Sequence, residues 1–244
     1  METDMNVSSF RALFSPLVLC IWGVVMLDIV FTGKIRTLLH PAFYPWVAIT
    51  GASLLLVSIA LVFTPGALHP EPWLTWFGRG GLLLVPILFA LSFAPSTYSS
   101  YTVVNRGLNA SSYRPPSAIT AGAAPTPDSS VGKPLAVDVP YILSSTDADD
   151  NRKLLDGKSV ELIGQLYPAN AGEFDLVRLL IYCCAADASP ISVRVKGDAS
   201  SQKSEDWVDV TGVVRFTQKD GQWTPYLDLE SIKPTTPPAD PFIY

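Results

Sequence analysis

Histidine and cysteine are scarce in this chain, and where they are missing matters more than how many there are. The two histidines are His40 and His69, so the last 175 residues contain none. Three cysteines stand at positions 20, 183 and 184, which is no disulfide framework. A Ser-His-Asp set, a phosphate-cradling glycine loop and paired catalytic carboxylates are also missing, and no enzymatic activity is expected. Positive charge is short as well: 17 Lys and Arg stand against 22 Asp and Glu, for a net charge of -5. Non-specific binding to nucleic acid needs a basic face, so nucleic acid is not expected as a partner.

What is present is unevenly distributed. Hydrophobic residues make up 48% of the chain, the long apolar runs lie between residues 13 and 95, and charge concentrates after residue 146. Three runs have the character of membrane spans. Leu13 to Gly33 has about the length that crosses a ~30 Å hydrocarbon core, and it lacks the small-x-small cleavage pattern of a signal peptide. Tyr44 to Phe63 is uncharged and begins with the interfacial aromatics Tyr44 and Trp46. Gly81 to Pro95 is shorter and contains Pro86, with Trp73, Trp76 and Phe77 just ahead of it. The lipid bilayer is therefore an expected partner, and the chain is expected to be a multi-pass membrane protein. Asp28, near the end of the first run, is a candidate functional residue because charge at membrane depth is costly. A hydrated position at the interface, near Lys34 or Arg36, would explain it equally. His40 lies in the short loop between the first two runs and is a second candidate there.

These runs define a membrane domain over residues 1–106. Residues 107–139 read as a flexible linker rich in Pro, Ala, Ser and Thr. Three spans would put the two termini on opposite sides. The positive-inside count favours a cytoplasmic C-terminal domain, whereas the linker composition is common outside the membrane.

Residues 140–244 carry short alternating runs separated by turn signals, the pattern of an all-β domain. Strands are expected at Lys158–Leu166, Phe174–Cys184, Ile191–Lys196, Asp206–Phe216 and Thr224–Ile232, with short helices between 143 and 156. Five strands in this length suggest a small OB-like barrel, and the whole chain is then an α+β membrane protein. Gly164 and Gly212 fall where a barrel strand must coil or bulge. From Asp147 onward 16 acidic residues stand against 10 basic ones, so the barrel lacks the basic groove of a nucleic-acid binder. Trp207, Trp223 and Tyr226 have no basic stripe beside them.

Within this domain the stretch Arg178 to Pro190, RLLIYCCAADASP, holds the candidate chemistry. Successive side chains of a strand point to opposite faces, so Cys183 and Cys184 could not share one ion on a regular strand. Adjacent cysteines are also badly placed for an unstrained disulfide. A turn at Ala185–Asp187 could instead gather Cys183, Cys184 and Asp187 into a ligand set for zinc or another soft or borderline ion. Two other readings stay open: one cysteine packed as a small hydrophobe, or an envelope thiol-redox protein. Arg178, in an apolar strand, requires a partner, with Glu173 and Asp175 as candidates.

Arg178, the element Cys183-Cys184-Ala185-Ala186-Asp187-Ala188, Trp207-Val208 with Val210-Thr211-Gly212, and the ending from Pro237 to Tyr244 together resemble the YcgQ-like family of bacterial membrane proteins. His40-Pro41 and Asn105-Arg106-Gly107 extend the resemblance toward the N-terminus. It implies an accessory subunit of a two-component permease, anchored in the cell membrane and paired with a larger multi-span permease subunit. It also implies an extracytoplasmic C-terminal domain and a connection with metal, zinc being the candidate. Cys183, Cys184 and Asp187 are then the expected ligand residues, and Arg178, Trp207 and Tyr244 structural or interaction residues.

Overall fold

The computed structural model describes residues 2–64, 81–86, 88, 133–146, 149–219 and 221–244. They belong to two compact units, divided between Pro95 and Ser96.

The first unit is a helical hairpin. Helix α1 (Glu2–Phe31) and helix α2 (Tyr44–Phe63) are joined by two short 3-10 turns, Lys34–Thr37 and Pro41–Phe43. Gly33, at φ 75°, makes the left-handed turn out of α1. Gly23 and Gly51 let the helices touch: a Cβ on Gly23 would stand 2.8 Å from the Gly51 carbonyl oxygen. The buried Ser58 hydroxyl donates to the Pro16 carbonyl at 2.7 Å, a second tie across the hairpin. Away from this contact α2 exposes Trp46, Ile49, Leu56, Ile59 and Val62.

Among the described residues one helix, Pro41–Phe63, is long and apolar enough to cross a membrane. It coincides with the second expected span. The first expected span falls largely on α1, whose apolar part, Pro16–Phe31, is shorter than a bilayer crossing requires. Of the third, residues 81–86 and 88 are helical, and the remainder lies outside the described residues. Trp22 Nε1 donates to the Leu83 carbonyl at 3.0 Å, which ties that helical turn to α1. Among the described residues one of the three expected membrane helices is shown as a candidate.

The second unit is a closed β-barrel of five strands: β2 (Ser159–Pro168), β3 (Glu173–Leu180), β4 (Ser189–Lys196), β5 (Trp207–Lys219) and β6 (Gln222–Pro234). β2 pairs antiparallel with both β3 and β5, which closes the ring. β5 pairs antiparallel with β6, β6 runs parallel to β4, and β4 pairs antiparallel with β3. Two strands of two residues were not expected: β1 (Leu135–Ala136) on β2, and β7 (Phe242–Ile243) on β3. Because Leu135 to Val139 are built into the unit, the ordered domain begins before residue 140, inside the expected linker. The rest of that linker, residues 107–132, lies outside the described residues.

Alternation along the strands delivers one face to the interior. Val160, Leu162, Leu166, Phe174, Leu176, Leu180, Ile191, Val193, Val195, Val208, Val210, Val214 and Leu227 form one buried cluster. Helix α3 (Val139–Ser144) adds Val139, Ile142 and Leu143 to it, and helix α4 (Asp149–Leu155) adds Leu155. Of the two glycines expected at a coil or bulge, Gly212 sits at one, whereas Gly164 lies in a continuous β2–β5 ladder and allows a close approach instead. The β5–β6 register slips between Thr211 and Gly212. At Gly164 an added Cβ would meet Leu176 Cγ at 2.8 Å and the Val177 carbonyl oxygen at 3.0 Å. Gly164→Ala is accordingly expected to lower stability by about 1–3 kcal/mol, the cost of overpacking. A thermal melt followed by circular dichroism checks this, and an unchanged midpoint would refute the close β2–β3 approach.

Candidate metal centre

β3 was expected to run through Cys184 but stops at Leu180; it parts from β2 after Val177 and continues to Leu180 on β4 and β7. The β2–β3 ladder ends at Gln165–Val177. The chain leaves the sheet as an eight-residue loop, Ile181 to Ala188, that returns as β4. A 3-10 turn at Ala185–Asp187 reverses it. The aspartate three residues after Cys184 fixes this turn. Asp187 accepts the Tyr182 amide on Oδ1 at 3.1 Å, and on Oδ2 the amides of Cys183 at 2.8 Å and Cys184 at 3.4 Å. Three successive donors close on one carboxylate, which satisfies backbone groups that have left the ladder.

That closure folds the thiols together. Cys183 Sγ and Cys184 Sγ lie 3.7 Å apart. Together with an Asp187 carboxylate oxygen they form a set whose atoms all lie within 4.8 Å of one another. Cys183 is exposed and Cys184 half-buried, and both are free thiols. Neither packs as a core hydrophobe, so the reading in which one cysteine fills the barrel is overturned. The reason is the early end of β3.

The electrostatics of the loop are anionic. The Cys183 thiol donates to Asp187, and that bond, followed by the neighbouring Cys184, pushes its pKa up to about 12. Burial opposes ionisation of Asp187, but the Cys183 thiol and the amides of Cys183, Tyr182 and Cys184 outweigh it and hold the carboxyl below its ordinary value. A nucleophilic cysteine needs the opposite setting, a neighbouring cation that lowers its pKa. A carboxylate beside two thiols is instead a donor set of the kind that can hold a cation. Tetrahedral zinc with Zn–S bonds of ~2.3 Å separates two sulfurs by about 3.8 Å, and the observed spacing is 3.7 Å. The residues present therefore fit a thiophilic divalent ion.

The other sequence-predicted residues divide into three places. Arg178 is 7% exposed and sits on the inward face of β3, between Leu176 and Leu180. It does not pair with Glu173 or Asp175. Those carboxylates project from the opposite face and hold Arg194, at 3.1 Å and 2.6 Å. Arg178 Nη1 donates to the Ile163 carbonyl and Nη2 to the Asp240 carbonyl, both at 3.2 Å. Its guanidinium lies 5.5 Å from the centre of the Trp207 ring, so these two predicted residues meet. Burial presses the Arg178 pKa down, while Asp138, Asp240 and Tyr244 act to raise it. Tyr244 packs against Leu179, Ile181, Ala188 and Phe242 at the root of the cysteine loop.

Asp28 and His40 belong to the first unit. Asp28 is exposed on α1, and its backbone carbonyl accepts the Thr32 hydroxyl at 2.6 Å. His40 Nδ1 accepts the Ala42 amide at 3.1 Å and caps the second 3-10 turn. Sequence reasoning missed Ile181, Ala188 and the Tyr182 amide, which frame the thiols. Asp187 followed by Ser189-Pro190 was the available signal for a capped turn.

Residues 138–244 match the family described as the DUF1980 C-terminal domain. The match spans the barrel from the start of α3 to the last residue and does not include the helical hairpin. No curated protein and no solved structure matches the chain.

Proposed function

We propose that this chain is a membrane-anchored subunit whose barrel binds a thiophilic divalent cation, with zinc the first candidate, at Cys183, Cys184 and Asp187. The observation that carries the reading is the convergence of two thiols and a carboxylate in one solvent-facing turn, their atoms within 4.8 Å of one another. Three protein donors leave a coordination position open. Structural zinc sites are closed by four protein ligands, and a three-donor set is not of that kind. The subunit accordingly presents the ion rather than using it to fold. Its recipient is a larger multi-span permease subunit, as the YcgQ-like resemblance implies, and the barrel faces the outside of the cell membrane. The ring order β2-β5-β6-β4-β3, closed by the β2–β3 pairing, supports an OB-like barrel. The hairpin, with one helix able to cross a bilayer, supports the anchor.

The reading is tested on the full-length chain in detergent, reduced, by metal analysis and by zinc titration against a chromophoric chelator. About one zinc per chain is expected, and a wild type that takes up none would overturn it. Co-purification from membranes at native expression tests the association, and recovery of the chain alone would count against the permease role. Asp187→Asn gives a sharper check, because it moves two observables in opposite directions. Ion affinity falls with the lost charge. Alkylation of Cys183 at pH 8 quickens by about tenfold or more, because the group that suppresses its thiolate is gone. Equal or slower alkylation would show that Asp187 does not control the thiol.

A further inference from the structure

The cysteine loop is anchored at both ends by the same distant piece of chain. Beyond Val177, β3 has lost β2 as a neighbour, and β7 takes over that edge in parallel, pairing Leu179 with Phe242 and Leu180 with Ile243. One residue further on, the Ile181 amide donates to the Ile243 carbonyl at 2.9 Å. Phe242, 3% exposed, packs with Leu179, Ile181 and Ala188, and Tyr244 covers the same cluster. Ile181 immediately precedes the three amides that bind Asp187, and Ala188 immediately follows Asp187. Both ends of the Tyr182–Asp187 turn therefore rest on the last residues of the chain. Arg178 ties that segment down at Asp240.

We infer that the C-terminal segment Asp240–Tyr244 is the positioning element of the cysteine loop, with Phe242 as its anchor. It holds the two ends of the loop at the separation in which one carboxylate reaches three successive amides and the two sulfurs stand side by side. The inference about ion affinity rests on the proposed metal function, whereas the inference about loop order does not. Phe242 acts through Ile181 and Ala188, the residues that flank the turn.

The test uses the full-length chain with Phe242→Ala, Phe242→Leu and a deletion of Phe242–Tyr244. Two quantities are read: cadmium and zinc affinity, and hydrogen exchange of the 182–184 amides without metal. Phe242→Ala is expected to weaken ion binding about tenfold and to speed exchange at 182–184 by a similar factor, with β2 and β5 unchanged. The deletion goes further in both, and Phe242→Leu, which keeps only part of the buried side chain, gives a smaller acceleration of the same kind, confined to 182–184. If exchange at 182–184 is unchanged in Phe242→Ala, the inference fails. Where Phe242→Ala or the deletion loosens the whole barrel, Phe242→Leu decides: faster exchange confined to the loop upholds the inference, and none overturns it. A wild type that binds no ion, with Phe242→Ala still freeing the loop, defeats the metal reading and leaves the positioning role standing.

Discussion

Replacing Cys183 or Cys184 with serine is expected to weaken zinc binding roughly 100-fold, and replacing both to abolish it. Zinc sites with four protein ligands bind with about 10–16 kcal/mol, so one thiolate is worth on the order of 3 kcal/mol, or two decades in affinity. Neither substitution should disturb the barrel, because Cys183 is exposed, Cys184 half-buried, and both lie outside the core cluster. The same site makes a pH prediction. Zinc binds the thiolate, and Asp187 holds the Cys183 thiol up at about 12, so this proton is still in place at neutral pH and must leave on binding. Affinity therefore rises with pH, by at least tenfold per unit between pH 6 and 8, and this continues until pH approaches that value. Asp187 is ionised throughout that window, because its pKa is lowered, and it contributes nothing to the slope. Calorimetry in buffers of different ionisation enthalpy counts the protons released. Fewer than one per ion at pH 7 would mean that Cys183 is not a ligand.

The limits of the sequence are visible at particular residues. Val208 and Val210 alternate with Asp209 and Thr211, and that alternation is enough to place β5 and its inward face. The cysteines are misplaced by the same rule, because it assumes that β3 keeps its partners. β3 loses β2 after Val177 and leaves β4 and β7 after Leu180, and both ends are set by pairing with distant segments, which a local pattern does not contain. Arg178 shows an error of a different kind. Glu173 and Asp175 are five and three residues away, odd offsets that put them on the opposite face of any strand, so alternation alone would have excluded both as partners. Phe242 leaves no trace in periodicity, since a strand of two residues has none. Its role becomes visible only when the chain end is seen beside Leu179 and Ile181. The helical unit is legible in length and apolarity, yet a short apolar stretch such as Pro16–Phe31 does not by itself distinguish a membrane crossing from a partner packed on α2.

Arg178→Ala is expected to cost the barrel about 3–5 kcal/mol, the largest stability effect of any single substitution considered. Two hydrogen bonds from a charged donor contribute roughly 1.5–3 kcal/mol each, and the contact with the Trp207 ring about 0.5–2. Removing the buried guanidinium also recovers part of its desolvation cost, which keeps the net below the sum. Against a usual domain stability of about 5–15 kcal/mol this is a large fraction, and the melting temperature should fall by about 10–25 °C. A hydrophobic replacement often rescues a buried ion pair, because both charges vanish together. Arg178 differs, since its acceptors are the Ile163 and Asp240 carbonyls, which no substitution removes. Arg178→Met should therefore recover the packing against Trp207 but not the bonds, and remain at least 1–2 kcal/mol below wild type. Arg178→Lys retains the charge but offers one ammonium where a fork spans two carbonyls, and it too should fall short. Denaturant unfolding of the three variants decides the matter. A methionine variant as stable as wild type would mean that the guanidinium bridges β2 and the C-terminal segment without holding them.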